Sequence, residues 1–345
     1  MRSIFPKLYG NDAVKARLGG AIVDGRLPHA LLIDGQEGSG KTTLAKEIAA
    51  ALVCEHRTDE GYSLPCHICA SCKKVMNDGY VDLHVTERAE GKATIGVGEI
   101  KAIRRDTFLS ATEGSHKIYL IKDAEKMTPE AQNALLIALE EPPEGVVIML
   151  LAAGTDRILT TIKSRAQHIA LSRFSPEEIS DYLVRTDKAA ERISREDPEG
   201  FRIAVSASDG RIGIARRLIE PSMREGVIAE RGETLNIIKA LGNGRSFREA
   251  YEAVMALPTK RPELAASLER LISALGDLIK LKYAGEGVTF SFFTDAEEAD
   301  GAGGRISSAR LFKLYETVSS AYDYNYKNAN TSALLMTLAA RLREA

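Results

Sequence analysis

The 345-residue chain has no tryptophan, only four cysteines and no surplus of either charge. Lysine and arginine total 46 against 48 acidic residues, a net charge of −2. That balance disfavours a protein that grips nucleic acid alone through a broad basic surface, although a local patch is allowed. Long apolar runs are also missing. The longest are of the length of VVIMLLAA at 146–153, far short of a membrane span. The opening MRSIFPKLYGND lacks the apolar core of a signal peptide. These absences lead us to expect a cytoplasmic protein with no membrane partner. In a reducing compartment, structural disulfides are then the less expected use of the cysteines.

What is present is ordinary globular material, 44% hydrophobic and 27% charged, enough for two or three domains. Residues 1–30 read as helical, with Val14, Leu18, Ile22 and Val23 at helical spacing. HALLIDG, VDLHVT, KIYLI and VVIMLLAA read as strands, and helices at TTLAKEIAAALVC, GEIKAIRRDTFLS and TPEAQNALLIALEE alternate with them. Such alternation predicts a parallel sheet covered on both faces, an α/β domain over about 1–170. Ser175-Pro176-Glu177-Glu178 then starts a helix, and from there the chain reads as all-α. An irregular, glycine-rich stretch interrupts it at 284–305.

Two motifs carry chemistry. Gly35-x4-Gly40-Lys41-Thr42 is a complete phosphate loop between a strand and a helix. Glycines, Gly38 included, let backbone N–H groups close on phosphates, and the helix N-terminus adds positive potential. Gly35, Gly38, Ser39, Gly40, Lys41, Thr42 and Thr43 are the expected nucleotide-binding residues, with Lys41 reaching the β- and γ-phosphates and Thr42 positioned for Mg²⁺. The ligand class is ATP or ADP with Mg²⁺; the motif implies binding, not hydrolysis. The second motif is Cys54-x11-Cys66-x2-Cys69-x2-Cys72 in an otherwise irregular 54–80 segment. Four thiolates suit tetrahedral Zn²⁺ in a closed, structural site. His56 and His67 are not needed as ligands and read as surface residues.

The order of phosphate loop, four-cysteine insert, KIYLIKDAEKMTPEAQNALLIALEEPP and TTIKSR resembles the bacterial clamp-loader AAA+ proteins of DNA polymerase III. The likeness is dense over about 25–170 and thins beyond, with NANTSALLMTLAARL similar to the family's final helix. It implies an AAA+ module at 1–170 bearing a zinc insert at 54–80, a helical lid at 171–222, and a helical collar for oligomerisation at 223–345. It also implies a five-subunit ring with tau/gamma and delta subunits, which opens a sliding clamp and places it on primed DNA.

Against that family the sequence departs at the hydrolytic positions. Counting back from Asn133 puts Lys122 where motor subunits carry the magnesium aspartate, and Asp123 where they carry the water-polarising glutamate. An ammonium about 5 Å from Mg²⁺ is repelled by roughly 6 kcal/mol at an effective dielectric near 20. The strand-end polar sensor falls on Ala153 or Gly154, and the lid's sensor arginine falls on Gly213, with Arg211 or Arg216 nearby. Ser164-Arg165 stands where the family has its Ser-Arg-Cys motif, which implies that Arg165 is an arginine finger acting on a neighbouring subunit's γ-phosphate. The expectation is a hydrolysis-poor clamp-loader component. The alternative is an active AAA+ ATPase of the tau/gamma type, and a lone DNA-binding module is disfavoured by the charge.

Overall fold

The structure is a computed structural model and describes residues 2–89, 92–242, 247–283, 290–327 and 329–344. The chain divides into two compact units, Met1–Arg173 and Phe174–Ala345.

The first unit is built on five parallel strands, β1 (Ala30–Asp34), β2 (Leu83–Thr86), β3 (Lys117–Ile121), β4 (Val146–Ala152) and β5 (Gln167–Ala170), in the order β2-β3-β4-β1-β5. Every residue of β3 and β4 is buried, because helices cover both faces of the sheet and leave no solvent side for polar residues. The edge strands β2 and β5 are only partly buried and carry His84 and His168. Alternate side chains feed two cores. Leu31, Ile33, Leu120, Met149 and Leu151 join Leu18, Leu44 and Ile48. Leu32, Tyr119, Ile121, Ile148 and Leu150 join Ile100, Leu135 and Leu139.

The connecting helices are α1 (Asp12–Val23), α2 (Lys41–Leu52), α3 (Ala70–Met76), α4 (Val97–Thr107), α5 (Pro129–Glu140) and the single turn α6 (Thr160–Lys163). Thr128 caps α5 through its hydroxyl, which accepts the Ala131 N–H, and Pro129 occupies the first turn. Three readings from sequence are corrected here. Helix in the first thirty residues is confined to α1; before it, Phe5 is buried and its N–H donates to Leu64 O at 2.7 Å. The 54–80 segment is not irregular throughout, since α3 starts where the Cys69 side chain accepts the Cys72 N–H. The helix expected at 98–110 ends at Thr107.

The second unit is helical: α7 (Pro176–Thr186), α8 (Lys188–Glu196), α9 (Pro198–Ala207), α10 (Ile212–Leu218), α11 (Pro221–Gly242), α12 (Phe247–Met255), α13 (Arg261–Tyr283), α14 (Ala296–Gly303), α15 (Ser308–Tyr326) and α16 (Thr331–Glu344). A full capping box between Ser175 and Glu178 opens α7. One cluster of apolar side chains gathers α7 to α10 around Ile179, Leu183 and Phe201. A larger one gathers α11 to α16 around Leu268, Leu275, Leu311 and Leu335. Of the stretch read as irregular, 284–289 lies outside the described residues, and the rest contains α14, capped by Asp295. Its small residues made it look like a loop; they let it pack closely, and a Cβ on Gly303 would meet Leu278 Cδ1 at 2.4 Å. Among the described residues no helix is long and apolar enough to cross a membrane.

Candidate functional site: a phosphate loop and a four-cysteine knuckle

The phosphate loop leaves the C-terminal end of β1, the end at which ligands sit in open α/β sheets. It is moored to the neighbouring strand by Gly35 N–H, which donates to Ala152 O at 3.1 Å. Gly38 and Gly40 adopt φ of 79° and 98°, a region that costs other residues energy, and Gly40 sits just before the first turn of α2. A Cβ on Gly35 would lie 2.5 Å from Ser39 Oγ, so the loop closes tightly on itself. Ser39 Oγ is buried with no protein partner, and Lys41 Nζ donates to the loop's own carbonyls, Gly35 O at 2.5 Å and Gln36 O at 3.1 Å. Both groups are hydrogen-bond donors of the kind a phosphate requires. Burial draws the Lys41 pKa below its ordinary value, against the pull of Glu125, Asp123, Asp34 and Glu37. The loop's donors and the start of α2, with Thr42 and Thr43, fit a nucleotide's phosphates.

Beside the loop, the end of β3 is unlike a hydrolytic site. The Lys122 ammonium donates to Glu87 Oε2 at 3.0 Å, and its N–H to Thr86 O. Asp123 is in the left-handed region at φ 51° and accepts from Arg88 Nε at 3.1 Å and Lys126 Nζ at 3.2 Å. Burial alone would raise its pKa, but these two cations outweigh it and hold the carboxyl below the ordinary range. At the end of β4, Ala153 and Gly154 bring no side-chain polar group; Ala153 N–H donates to Glu125 Oε2 at 3.2 Å. Glu125 was not singled out from sequence. In the second unit, Gly213 lies within α10, Arg211 Nε donates to Ser208 O at 2.9 Å, and Arg216 Nε lies 3.5 Å from Asp187 Oδ2.

Arg165 follows the short α6. Its Nη2 lies 2.7 Å from Glu140 Oε1 at the end of α5, and its Nη1 donates to Thr161 O at 3.1 Å. The guanidinium is thus fixed and partly exposed.

Cys54, Cys66, Cys69 and Cys72 converge, with all four Sγ atoms within 4.8 Å of one another and all four residues buried. Cys66 Sγ and Cys72 Sγ are 3.9 Å apart, close to the separation of two thiolates on one tetrahedral zinc with bonds of about 2.3 Å. Two knuckle contacts, Cys69 N to Cys66 Sγ and Cys72 N to Cys69 Sγ, both 3.4 Å, aim N–H groups at sulfur. Burial opposes ionisation of Cys66, but the Cys69 and Ile68 N–H groups outweigh it and bring that thiol to about 7; burial pushes Cys54 and Cys72 up. The donor set fits one structural Zn²⁺. The surface reading of His67 is corrected: it is largely buried, its Nε2 lies 3.0 Å from Glu47 Oε1, and burial lowers its pKa. Glu47, in α2, is fully buried, and burial pushes its pKa up to about 7. His56 is partly buried and stacks on Tyr62 at 4.1 Å.

A phosphate loop at the end of the interior strand β1 of a β2-β3-β4-β1-β5 parallel sheet, followed by a helical unit, defines an AAA+ protein. Residues 10–175 match the family described as DNA polymerase III, delta subunit. The chain is 30% identical over 269 residues to DNA polymerase III subunit tau of Bacillus subtilis, covering 77% of this chain and 45% of that one. It is 33% identical over 162 residues to subunit delta' of the same organism, covering 47% of each. It is 29% identical over 222 residues to subunit gamma of Buchnera aphidicola, covering 64% of this chain and 58% of that one. The chain thus spans about half the length of these relatives. Among solved structures, a gamma subunit-related protein of DNA polymerase III from Thermotoga maritima aligns over 95% of this chain and 98% of its own, at 19% identity and a TM-score of 0.44. RuvB from the same organism aligns over 89% and 86%, at 18% identity and a TM-score of 0.41. These matches support a clamp-loader AAA+ subunit of DNA polymerase III.

Proposed function

We propose that this chain is a delta-prime-type subunit of a clamp-loader complex: a hydrolysis-poor member of a ring with tau/gamma and delta subunits that helps load a sliding clamp on primed DNA in the cytoplasm. The observation that carries this is Lys122. The phosphate loop is intact, yet the position where a motor subunit needs a carboxylate on Mg²⁺ holds an ammonium paired with Glu87. The bare sensor positions at Ala153 and Gly213 point the same way. In this reading Gly35 to Thr43 hold ATP or ADP as a structural ligand, the cysteines hold one Zn²⁺, and α7 to α10 act as lid while the helices from α11 on form the collar. Arg165 reaches in trans to the neighbour's γ-phosphate, exchanging its Glu140 partner for that anion. The role is that of a rigid arm, with no polymerase chemistry of its own.

A second reading, an active tau/gamma-type motor, draws support from the tau and gamma relatives. The purified chain separates the two. Multiple turnovers of ATP, lost in Lys41→Ala, support the motor; hydrolysis at background in both proteins supports the delta-prime role.

A further inference from the structure

We infer that Glu125, rather than Asp123, is the carboxylate that serves the phosphate loop, positioned to take the Mg²⁺ of a bound nucleotide or its water shell; this rests on the reading that the loop holds nucleotide. The path of the chain carries the argument. Past β3, the Lys122 N–H is tied to Thr86 O on the edge-strand side, and the left-handed turn at Asp123 starts a single 3-10 turn, Ala124–Lys126. That turn swings Glu125 under the end of β4, where its Oε2 accepts the Ala153 N–H at 3.2 Å. Ala152, the preceding residue, is the one to which Gly35 at the root of the phosphate loop is moored, and Lys41 Nζ lies 2.5 Å from Gly35 O. Glu125 is therefore anchored to the same strand end as the loop itself.

The other two side chains of the stretch are engaged elsewhere. Asp123 Oδ2 is shared by Arg88 and Lys126, which offset its charge, and Lys122, paired with Glu87, offers the loop no carboxylate. Glu125, together with Asp123, Asp34 and Glu37, supports the charged form of Lys41 against the effect of burial. Mg²⁺ keeps much of its water and needs only one or two carboxylates beside the phosphates, so a single anchored glutamate with the Thr42 hydroxyl suffices to hold it. Holding the metal does not restore hydrolysis, because Glu125 is committed to Ala153 through one oxygen and no base is thereby placed for water.

The test is titration of a fluorescent ADP analogue onto the full chain, in Mg²⁺ and in excess EDTA, for wild type, Glu125→Gln and Asp123→Asn. Glutamine keeps an acceptor for Ala153, so the fold is preserved, and unfolding curves check it. The expected result is that Mg²⁺ tightens binding to wild type and Asp123→Asn, and that Glu125→Gln loses about tenfold of this tightening while its affinity in EDTA is unchanged. Equal loss in both buffers makes Glu125 a purely structural anchor and overturns the inference. So does loss of the Mg²⁺ response in Asp123→Asn alone, or a wild type that binds nucleotide with no response to Mg²⁺. A wild type that binds no nucleotide in either buffer overturns the nucleotide reading and this inference with it.

Discussion

Lys122 Nζ lies 3.0 Å from Glu87 Oε2, just past the end of the edge strand β2. Because β4 stands between β3 and β1, this pair draws the ammonium to the side of the sheet away from the phosphate loop. In the proposed role, the lysine removes a carboxylate from the site without placing a cation against the metal of a bound nucleotide. The pair is partly exposed, and such pairs contribute little to stability. Lys122→Ala is expected to change urea-unfolding stability by less than about 1 kcal/mol and to leave ATP hydrolysis at background. Lys122→Asp with Asp123→Glu is expected to strengthen Mg²⁺-dependent nucleotide binding and still leave turnover low, because Ala153 and Gly213 supply no sensor group. Vigorous turnover by that double variant contradicts the assignment of the sensors.

The cysteine cluster sets a second expectation. Elemental analysis should find about one zinc per chain. Without metal the 54–80 segment keeps α3 but loses the bond that ties Cys54 to the knuckle, so chelation or Cys66→Ser should open it to protease. Equal protease resistance with and without metal contradicts a structural zinc.

Glu47 gives a pH expectation whose sign follows from burial. Its pKa is raised from 4.5 to about 7 in the folded chain, so the folded state holds a proton that the unfolded state releases. Its contribution to stability is fully present below about 4.5, falls progressively as the pH rises to about 7, and is constant above. Relative to wild type, Glu47→Gln should therefore gain stability from pH 5 to pH 8, by up to about 3 kcal/mol. Unfolding curves of the two proteins that run parallel over that range contradict it.

The contrast between what was and was not legible in the sequence has physical causes. KIYLI and VVIMLLA announce buried parallel strands because nothing polar interrupts them, and the phosphate loop and the cysteine spacing are local patterns. Glu125 was hidden because its direction depends on the left-handed turn at Asp123 two residues earlier; the sole signal was a second acidic residue in KDAEK. Glu47 sits in the run KTTLAKEIAAAL, where a charged residue reads as the solvent face, yet His67 and the N-terminal segment at Lys7 lie against it. The helix α14 was missed because alanine and glycine serve equally in loops and in tight helix contacts.

The central claim is that this subunit acts on its neighbour's nucleotide and not on its own. It is tested most directly by ATPase rates of a complex reconstituted with tau/gamma and delta subunits and carrying either Arg165→Ala or Lys41→Ala in this chain. Arg165→Ala should fold normally, since Glu140 is partly exposed and tolerates the loss of its partner. The account predicts that it slows hydrolysis at the adjacent motor site by about 10³-fold, diluted in the total rate by the other motor sites, while Lys41→Ala changes the total little. An unchanged rate with Arg165→Ala, or collapse of the rate with Lys41→Ala, would contradict the account and make this chain a motor.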